Sequence, residues 1–340
     1  MTIAITGGTG FIGQALVQQL VQNGQEVRLV IRKSSQLGSL ASLPVETAVA
    51  SLQDKISLAK ALSGCSQLYH LAAYARNWSS DPEWFKKINV EGLKNVLEAA
   101  LSCGVKRVVY VSSSVVLGPS SGKPVSESSS RGHISYFTLY EESKALSEKI
   151  IPDFLARGLE ILIARPTRVY GPGKLSEANS VTRIIRAFLK WRVGLVLNRG
   201  EETGNYVYVE DVARGLRLMM EKGKNGQDYI LGGENISLKG FYDLLEEVSG
   251  VKALRIYVSA RTARKLARLE KWKADLLRLY PLITEGWVET FLRNWDFSHE
   301  KAARELGYQP LSLKKGLELT CRWLLEKKPR QLSGRLNKIN

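Results

Sequence analysis

The stretch Thr6-Gly7-Gly8-Thr9-Gly10-Phe11-Ile12-Gly13 decides the fold. An apolar, β-branched run at residues 2–6 precedes it, and a segment with apolar residues at helical spacing, 11–23, follows it. Glycine carries no Cβ, so the chain can turn tightly here and its backbone can lie close to a pyrophosphate. A helix starting near Phe11 would aim its free N–H groups and the positive end of its dipole at that phosphate. Gly13 would let the helix pack closely on a sheet. A glycine-rich turn alone is weak evidence. At a strand–turn–helix junction that opens a βαβ run it reads as a dinucleotide-binding fingerprint, with Gly7, Thr9, Gly10, Phe11, Ile12 and Gly13 as candidate cofactor contacts.

Working outward, residues 27–31, 45–50, 67–71 and 107–112 are short β-branched runs bounded by turn residues, and read as buried strands. Residues 56–62 and 83–103 between them carry helical spacing. A long helix is expected over 138–157, then another strand at 160–164. This alternation predicts an α/β fold, a doubly wound parallel Rossmann sheet with helices on both faces. After Arg165-Pro166 the pattern loosens through the turn Gly171-Pro172-Gly173. Short strands at 206–209 and 228–231 and helices at 212–222 and 238–249 follow. The expected division is a nucleotide-binding domain from 1–165 and about 205–232, with a smaller C-terminal substrate-binding region from 166–204 and 233–326. Residues 327–340, beginning Lys327-Lys328-Pro329-Arg330, read as a basic, frayed tail.

The 340 residues, 44% hydrophobic and 24% charged, suffice for a sizeable core and are ordinary for a globular protein. No apolar stretch approaches the roughly 20 residues of a membrane span, and no secretory-type signal is read at the N-terminus. Cys65, Cys103 and Cys321 show no paired spacing, so neither disulfides nor a metal site is expected, and a reducing cytoplasm is the expected location. The formal net charge of +16 is the unusual bulk property. It fits attraction to nucleic acid, an anionic membrane or a phosphorylated substrate, and equally fits solubility alone. No RNP-like or KH-like motif is present, so nucleic acid is not the expected partner.

Dinucleotide choice is read at the end of the second strand. An acidic residue there binds the ribose 2′-hydroxyl of NAD, whereas an arginine accommodates the 2′-phosphate of NADP. Here the strand runs into Arg32-Lys33-Ser34 with no carboxylate, which favours NADP(H) over NAD(H), with Arg32 and Lys33 as contacts. Two Tyr-x-x-x-Lys pairs occur. Tyr170/Lys174 spans Gly171-Pro172-Gly173 and cannot be helical. Tyr140/Lys144 lies among helix formers, where i,i+4 spacing puts both side chains on one face. An ammonium beside the phenol is expected to lower its pKa from about 10, so that Tyr140 can give a proton to a carbonyl oxygen or take one from an alcohol.

Other segments join these: Leu68-Tyr69-His70-Leu71-Ala72-Ala73, Asn89-Val90-Glu91-Gly92, the Ser112-Ser113-Ser114 run, and Arg165-Pro166-Thr167-Arg168-Val169-Tyr170-Gly171-Pro172. In order and spacing the set resembles the extended short-chain dehydrogenase/reductase superfamily (the NAD-dependent epimerase/dehydratase superfamily), over roughly residues 1–326. The most similar branch is the dihydroflavonol-4-reductase-like group. The resemblance implies a serine bonded to the reacting oxygen, Tyr140 as acid/base and Lys144 on the nicotinamide ribose. Family spacing back from Gly118 selects Ser113, with Ser112 and Ser114 one slip away. The resemblance further implies that Leu52, Ala72, Ala73, Asn89, Pro166 and Val169 shape the cofactor site. His70 reads as a strand-end residue packing near the adenine rather than a proton carrier. Two positions depart from the family. Ala50-Ser51-Leu52 stands where relatives commonly place Gly-Asp-Leu, and Tyr208 where many have His. The stretch 206–213 is read as structural, with Asp211 capping a helix.

Ser113 is followed by Ser114-Val115 rather than the Asp-Glu of similar dehydratases, and Arg168 stands where epimerases tend to have Asn. What remains is NADP(H)-dependent reduction of a ketone or aldehyde, or oxidation of the secondary alcohol, on a hydrophobic small molecule. Nucleotide-sugar epimerisation, a hydroxysteroid or lipid dehydrogenase–isomerase at a membrane surface, and a non-enzymatic RNA-binding relative stay open, as does a homodimer. Tyr74, Trp78, Trp84 and Phe137 read either as an apolar pocket or as core. Residues 252–278 hold nine basic residues against two acidic ones, interleaved with Leu266, Leu269, Trp272 and Leu276. An amphipathic helix covering the substrate region with a solvated basic face is favoured over peripheral contact with an anionic membrane.

Overall fold

The computed structural model describes residues 1–326; the tail expected at 327–340 lies outside the described residues. The first six strands are β1 (Thr2–Thr6), β2 (Val27–Ile31), β3 (Val45–Val49), β4 (Cys65–His70), β5 (Arg107–Val111) and β6 (Glu160–Pro166). They are followed by β7 (Arg168–Tyr170), β8 (Val193–Leu197), β9 (Thr203–Tyr208), β10 (Asp228–Leu231), β11 (Glu234–Ser237) and β12 (Leu254–Val258). The helices of the first half are α1 (Phe11–Gln22), α2 (Lys55–Leu62), α3 (Glu83–Lys86), α4 (Gly92–Ser102), α5 (Leu139–Glu148) and α6 (Ile151–Ala156). Those of the second half are α7 (Ser180–Trp191), α8 (Val209–Lys222), α9 (Leu238–Ser249), α10 (Ala260–Leu277), α11 (Glu285–Phe291), α12 (Glu300–Leu306) and α13 (Leu313–Glu326).

Seven strands form one sheet in the order β10-β6-β5-β4-β1-β2-β3, and every neighbouring pair is parallel. Parallel pairing requires long crossovers, and these put helices on both faces. Ile3, Ile5, Leu29, Val109 and Leu162 pack with α1 and α8 on one face. Ala4, Leu68, Val108, Tyr110 and Ile161 pack with α2, α4 and α6 on the other. The strand order reverses between β1 and β4, and that switch point opens a crevice at their C-terminal ends, where sheets of this kind bind ligands. A second, three-stranded sheet runs β11-β9-β7, and β8 pairs with β12. Helices α7, α9 and α13 enclose its core around Ile185, Phe188, Phe241, Leu245 and Leu317.

Several elements differ from expectation. The helix expected over 138–157 breaks between α5 and α6, because Pro152 sits in the first turn of α6, where a missing N–H is harmless, and could not lie inside a continuous helix. The 83–103 segment is interrupted by a π turn over Lys87–Glu91. The strand expected at 206–209 is β9 and belongs to the second sheet, antiparallel to β11 and parallel to β7. Asp211 does not cap α8: Tyr208 holds that position without a side-chain bond. Buried in the first turn, the Asp211 carboxylate accepts from the Leu311 nitrogen at 2.8 Å and pairs with Arg214 at 2.6 Å.

Candidate active site

Residues 7–10 carry the chain from β1 to α1. Gly7 takes a φ of +73°, and a Cβ there would lie 2.5 Å from the Ala72 nitrogen. A Cβ on Gly13 would come within 2.2 Å of the Gly7 carbonyl oxygen, so the first turn of α1 sits directly against the loop. Gly10 is the N-cap and offers no side chain to the first-turn N–H groups, and the turn carries no acidic residue. Open donors, no carboxylate and no room for a Cβ together fit a pyrophosphate. Further along the edge, Arg32, Lys33 and Ser34 line a groove with Ser51 and Ser57. Arg32 and Lys33 are exposed and form no ion pair among the described residues, whereas Arg28 is held by Glu46 at 2.8 Å. Asp54, also on that groove, caps α2 through the Ile56 nitrogen at 3.0 Å. Leu52 packs under Gly92, and its carbonyl accepts from Asn95 at 2.9 Å.

Ser112-Ser113-Ser114 carries the chain off the end of β5. Ser112 and Ser114 are buried, while Ser113 keeps solvent access. Its hydroxyl accepts from the Val115 nitrogen at 3.5 Å and hydrogen-bonds the Tyr140 phenol. Tyr140 lies in the first turn of α5, whose N-cap Thr138 accepts from the Glu141 nitrogen at 3.1 Å. The Glu141 carboxylate accepts in turn from the Phe137 nitrogen at 3.1 Å and from Arg131 at 2.8 Å. The same guanidinium donates to the Val115 carbonyl at 2.6 Å and the Ser135 carbonyl at 2.8 Å. The serine turn and the start of the tyrosine helix are thus tied through one buried ion pair.

Lys144, one turn beyond Tyr140, is buried. Its Nζ donates to the Val111 carbonyl at 2.8 Å and to the Tyr110 hydroxyl at 3.3 Å. Burial pulls its pKa down to about 7. Lys144 does not lower the Tyr140 pKa as expected. Burial pushes the phenol up to about 12, opposed by the Ser113 hydrogen bond. The shared helix face is present, but the four-carbon stem directs the ammonium to the end of β5 instead of to the phenol.

Asn89 sits in the π turn, buried. It donates to the Ser143 hydroxyl at 2.8 Å, accepts from the Tyr74 nitrogen at 2.7 Å, and takes a bond from the Ser147 hydroxyl on its carbonyl at 2.8 Å. It therefore joins α5 to the loop after β4, in which Ala72 backs Gly7 and Ala73 leads to Tyr74. His70 is buried, 2.7 Å from the Thr6 hydroxyl and stacked on Tyr110. Burial, then the Lys144 charge, lowers its pKa to about 3. It thus lies on the Lys144 side of the crevice, with its ring turned toward β5. Pro166 ends β6 in register with Leu231, and Val169 packs in one core with Phe11 and Val207. Tyr170 of the second pair is buried against Leu313, while Lys174 is exposed.

Of the aromatic group, Tyr74 packs edge-on against Phe85 and Phe137 against Trp295, while Trp84 is exposed. Trp78 packs edge-on against Tyr280, whose hydroxyl bonds Glu177 and accepts from the Asn77 nitrogen at 3.3 Å. Arg131, Glu141, Ser143, Glu177 and Tyr280 escaped the sequence analysis. Thr138-x-x-Glu141 is the spacing of a capping box and was readable; the Tyr280–Glu177 contact joins segments 103 residues apart and left no local signal.

The family model described as NAD dependent epimerase/dehydratase matches residues 3–232. A putative dihydroflavonol 4-reductase from Synechocystis sp. is 32% identical over 324 residues, 94% of this chain and 93% of the relative. A 4-hydroxy-2-methyl-3-oxo-4-farnesyl-3,4-dihydroquinoline-1-oxide ketoreductase from Stigmatella aurantiaca is 28% identical over 314 residues, 91% of this chain and 92% of the relative. Among solved structures, a UDP-glucose 4-epimerase from Thermotoga maritima with UDP-glucose superposes with a TM-score of 0.79 at 26% identity, covering 96% and 100% of the two chains. The chain belongs to the NAD-dependent epimerase/dehydratase family, within the extended short-chain dehydrogenase/reductase superfamily of enzymes.

Proposed function

We propose that the chain is an NADP(H)-dependent oxidoreductase that reduces a ketone or aldehyde on a hydrophobic small molecule, with Tyr140 as proton donor. The carrying observation is the convergence of an accessible Ser113 hydroxyl, the Tyr140 phenol and Lys144 at the C-terminal edge of the sheet that also holds the glycine cradle. Held in that cradle by the backbone of residues 7–13, NADPH would supply the hydride that the carbonyl carbon takes up. Ser113 donates a hydrogen bond to the substrate oxygen, and Tyr140 gives that oxygen its proton as negative charge develops. A phenol held near pKa 12 stays protonated through neutral pH, which is the form reduction needs; alcohol oxidation needs the phenolate. Lys144 is the residue to hold the nicotinamide ribose. Exposed and unpaired, Arg32 and Lys33 are available to the 2′-phosphate.

Residues 166–204 and 233–326 form the substrate side. Support for a hydrophobic carbonyl substrate comes from the Stigmatella aurantiaca relative, whose name carries both a 3-oxo and a farnesyl group. The three cysteines are free, which supports a reducing cytoplasm. A panel of ketones and aldehydes assayed by NADPH consumption, with NADH in parallel, tests the proposal. Turnover is expected with NADPH preferred. Equal use of NADH would overturn the cofactor choice, and no turnover of any carbonyl would overturn the reaction.

A further inference from the structure

Helix α10 keeps the solvated basic face expected of it, but its large apolar side chains do not cover the substrate region. Its buried residues are the small ones, Ala263, Ala267 and Ala274; the first two pack around Leu197 and Val288. The large apolar side chains point outward: Leu269 is 54% exposed, Trp272 62% and Leu276 63%. Leu266 and Leu277 are exposed too, and Leu279 and Leu282 continue the row past the helix end. At 3.6 residues per turn, Leu266, Leu269, Trp272 and Leu276 fall on one flank. A single exposed leucine is unremarkable, but a contiguous row marks a surface that is covered in use.

The charge around the row indicates by what. Arg261, Lys265, Lys271 and Arg278 are exposed and make no ion pair among the described residues. Arg264, Arg268 and Lys273 are held by Glu289, Glu285 and Glu270. Apolar side chains bordered by the free cations Arg261 and Lys265 suit the headgroup region of an anionic bilayer. A second copy of this chain would bring the same cations together on a molecule already at +16.

The row also ends beside the candidate active site. Tyr280, three residues past α10, bonds Glu177 and the Asn77 backbone and packs on Trp78, in the loop that continues from Ala72–Tyr74. Gly286 in α11 lies so close to the Phe137 carbonyl that a Cβ would come within 2.4 Å of it, one residue before the N-cap of the Tyr140 helix. We propose that the outer face of α10 docks on an anionic lipid surface, and that docking holds the substrate entrance against the bilayer, from which a hydrophobic substrate is drawn. The second half rests on the proposed carbonyl chemistry; docking itself does not.

The test is sedimentation of the full chain with phosphatidylcholine vesicles, with and without phosphatidylserine, at low and high salt. Binding is expected to require phosphatidylserine and to weaken with salt. Each cation at such a surface is worth about a factor of five in partitioning, so Arg261→Glu/Lys265→Glu should bind at least about tenfold more weakly. Leu269→Ser/Trp272→Ser/Leu276→Ser should not bind, while its NADPH turnover of a water-soluble carbonyl stays at the parent level. Tyr140→Phe should sediment with vesicles like the parent while losing turnover. Absence of binding, or binding indifferent to both multiple variants, would overturn docking. So would a stable dimer that the triple variant converts to monomer, since a second copy would then be the occupant. Vesicle binding without turnover of any carbonyl would overturn the reaction and leave docking standing.

Discussion

Replacing Gly13 with alanine perturbs the nucleotide cradle at its tightest point. The added Cβ would lie 2.2 Å from the Gly7 carbonyl oxygen, 2.7 Å from the Gly8 Cα and 2.9 Å from the Gly8 carbonyl carbon. All three are backbone atoms, so no rotamer change relieves the overlap, and the loop must move off α1. Overpacking of this kind costs about 1–3 kcal/mol, and the better helix propensity of alanine offsets at most about 1 kcal/mol. A net loss of up to about 2 kcal/mol lowers the Tm of a 340-residue chain by up to about 3 °C. The effect on binding is larger. A hydrogen bond to a charged group contributes about 1.5–3 kcal/mol, so moving one N–H away from the pyrophosphate raises the NADPH Kd about 10- to 150-fold. Gly10→Ala is the control for the thermal melt alone, because its backbone is extended and its Cβ would lie 3.0 Å from the Gly7 oxygen, a milder approach. Fluorescence titration with NADPH and a thermal melt read both quantities. A Gly13→Ala variant that binds NADPH and melts like the parent would refute the close-approach argument.

Arg32→Ala is expected to raise KM for NADPH about tenfold or more, with KM for NADH little changed, in initial rates with each cofactor; parallel changes would show that Arg32 does not read the 2′-phosphate. Asn89→Ala strands the Tyr74 nitrogen and removes the bond that the Ser143 hydroxyl accepts, at about 1–3 kcal/mol in urea unfolding, and should lower kcat more than it raises substrate KM. If it lowers stability alone, Asn89 does not position the site. Lys144 is drawn from 10.5 to about 7 by burial, so between those values the unfolded chain keeps a proton that the folded chain has lost. Stability therefore rises with pH across that window, by up to about 1.4 kcal/mol per pH unit. Lys144→Met should flatten the rise in urea midpoints between pH 7 and 9, and equal slopes would contradict the shift.

The central sheet was legible because strands buried on both faces read as near-continuous β-branched runs, and because each is bounded by its own turn residues. The glycine turn was legible for a steric reason that holds wherever a helix start meets a tight loop. The break at Pro152 was also written locally, since proline is tolerated in a first helical turn and not inside a helix. Contacts between distant segments left no local trace. Nothing around residue 144 records that its ammonium meets the Val111 carbonyl, so the direction of the Tyr140 shift came out reversed. Three adjacent serines differ only in exposure, which depends on where β5 ends. For α10 the amphipathic pattern was readable, but which face meets the core was not. Alanines allow close packing there, and the larger side chains are left outside.

Tyr140→Phe removes one oxygen and leaves Ser113 its bond to the Val115 nitrogen, so fold and cofactor binding should persist. The decisive measurement is its kcat for reduction of a carbonyl that the parent turns over, with NADPH Kd and Tm measured on the same sample. Loss of a general acid predicts a fall of about 10²- to 10⁴-fold with Kd and Tm near the parent values. A variant that keeps the parent kcat would remove Tyr140 from the chemistry and contradict the proposed mechanism.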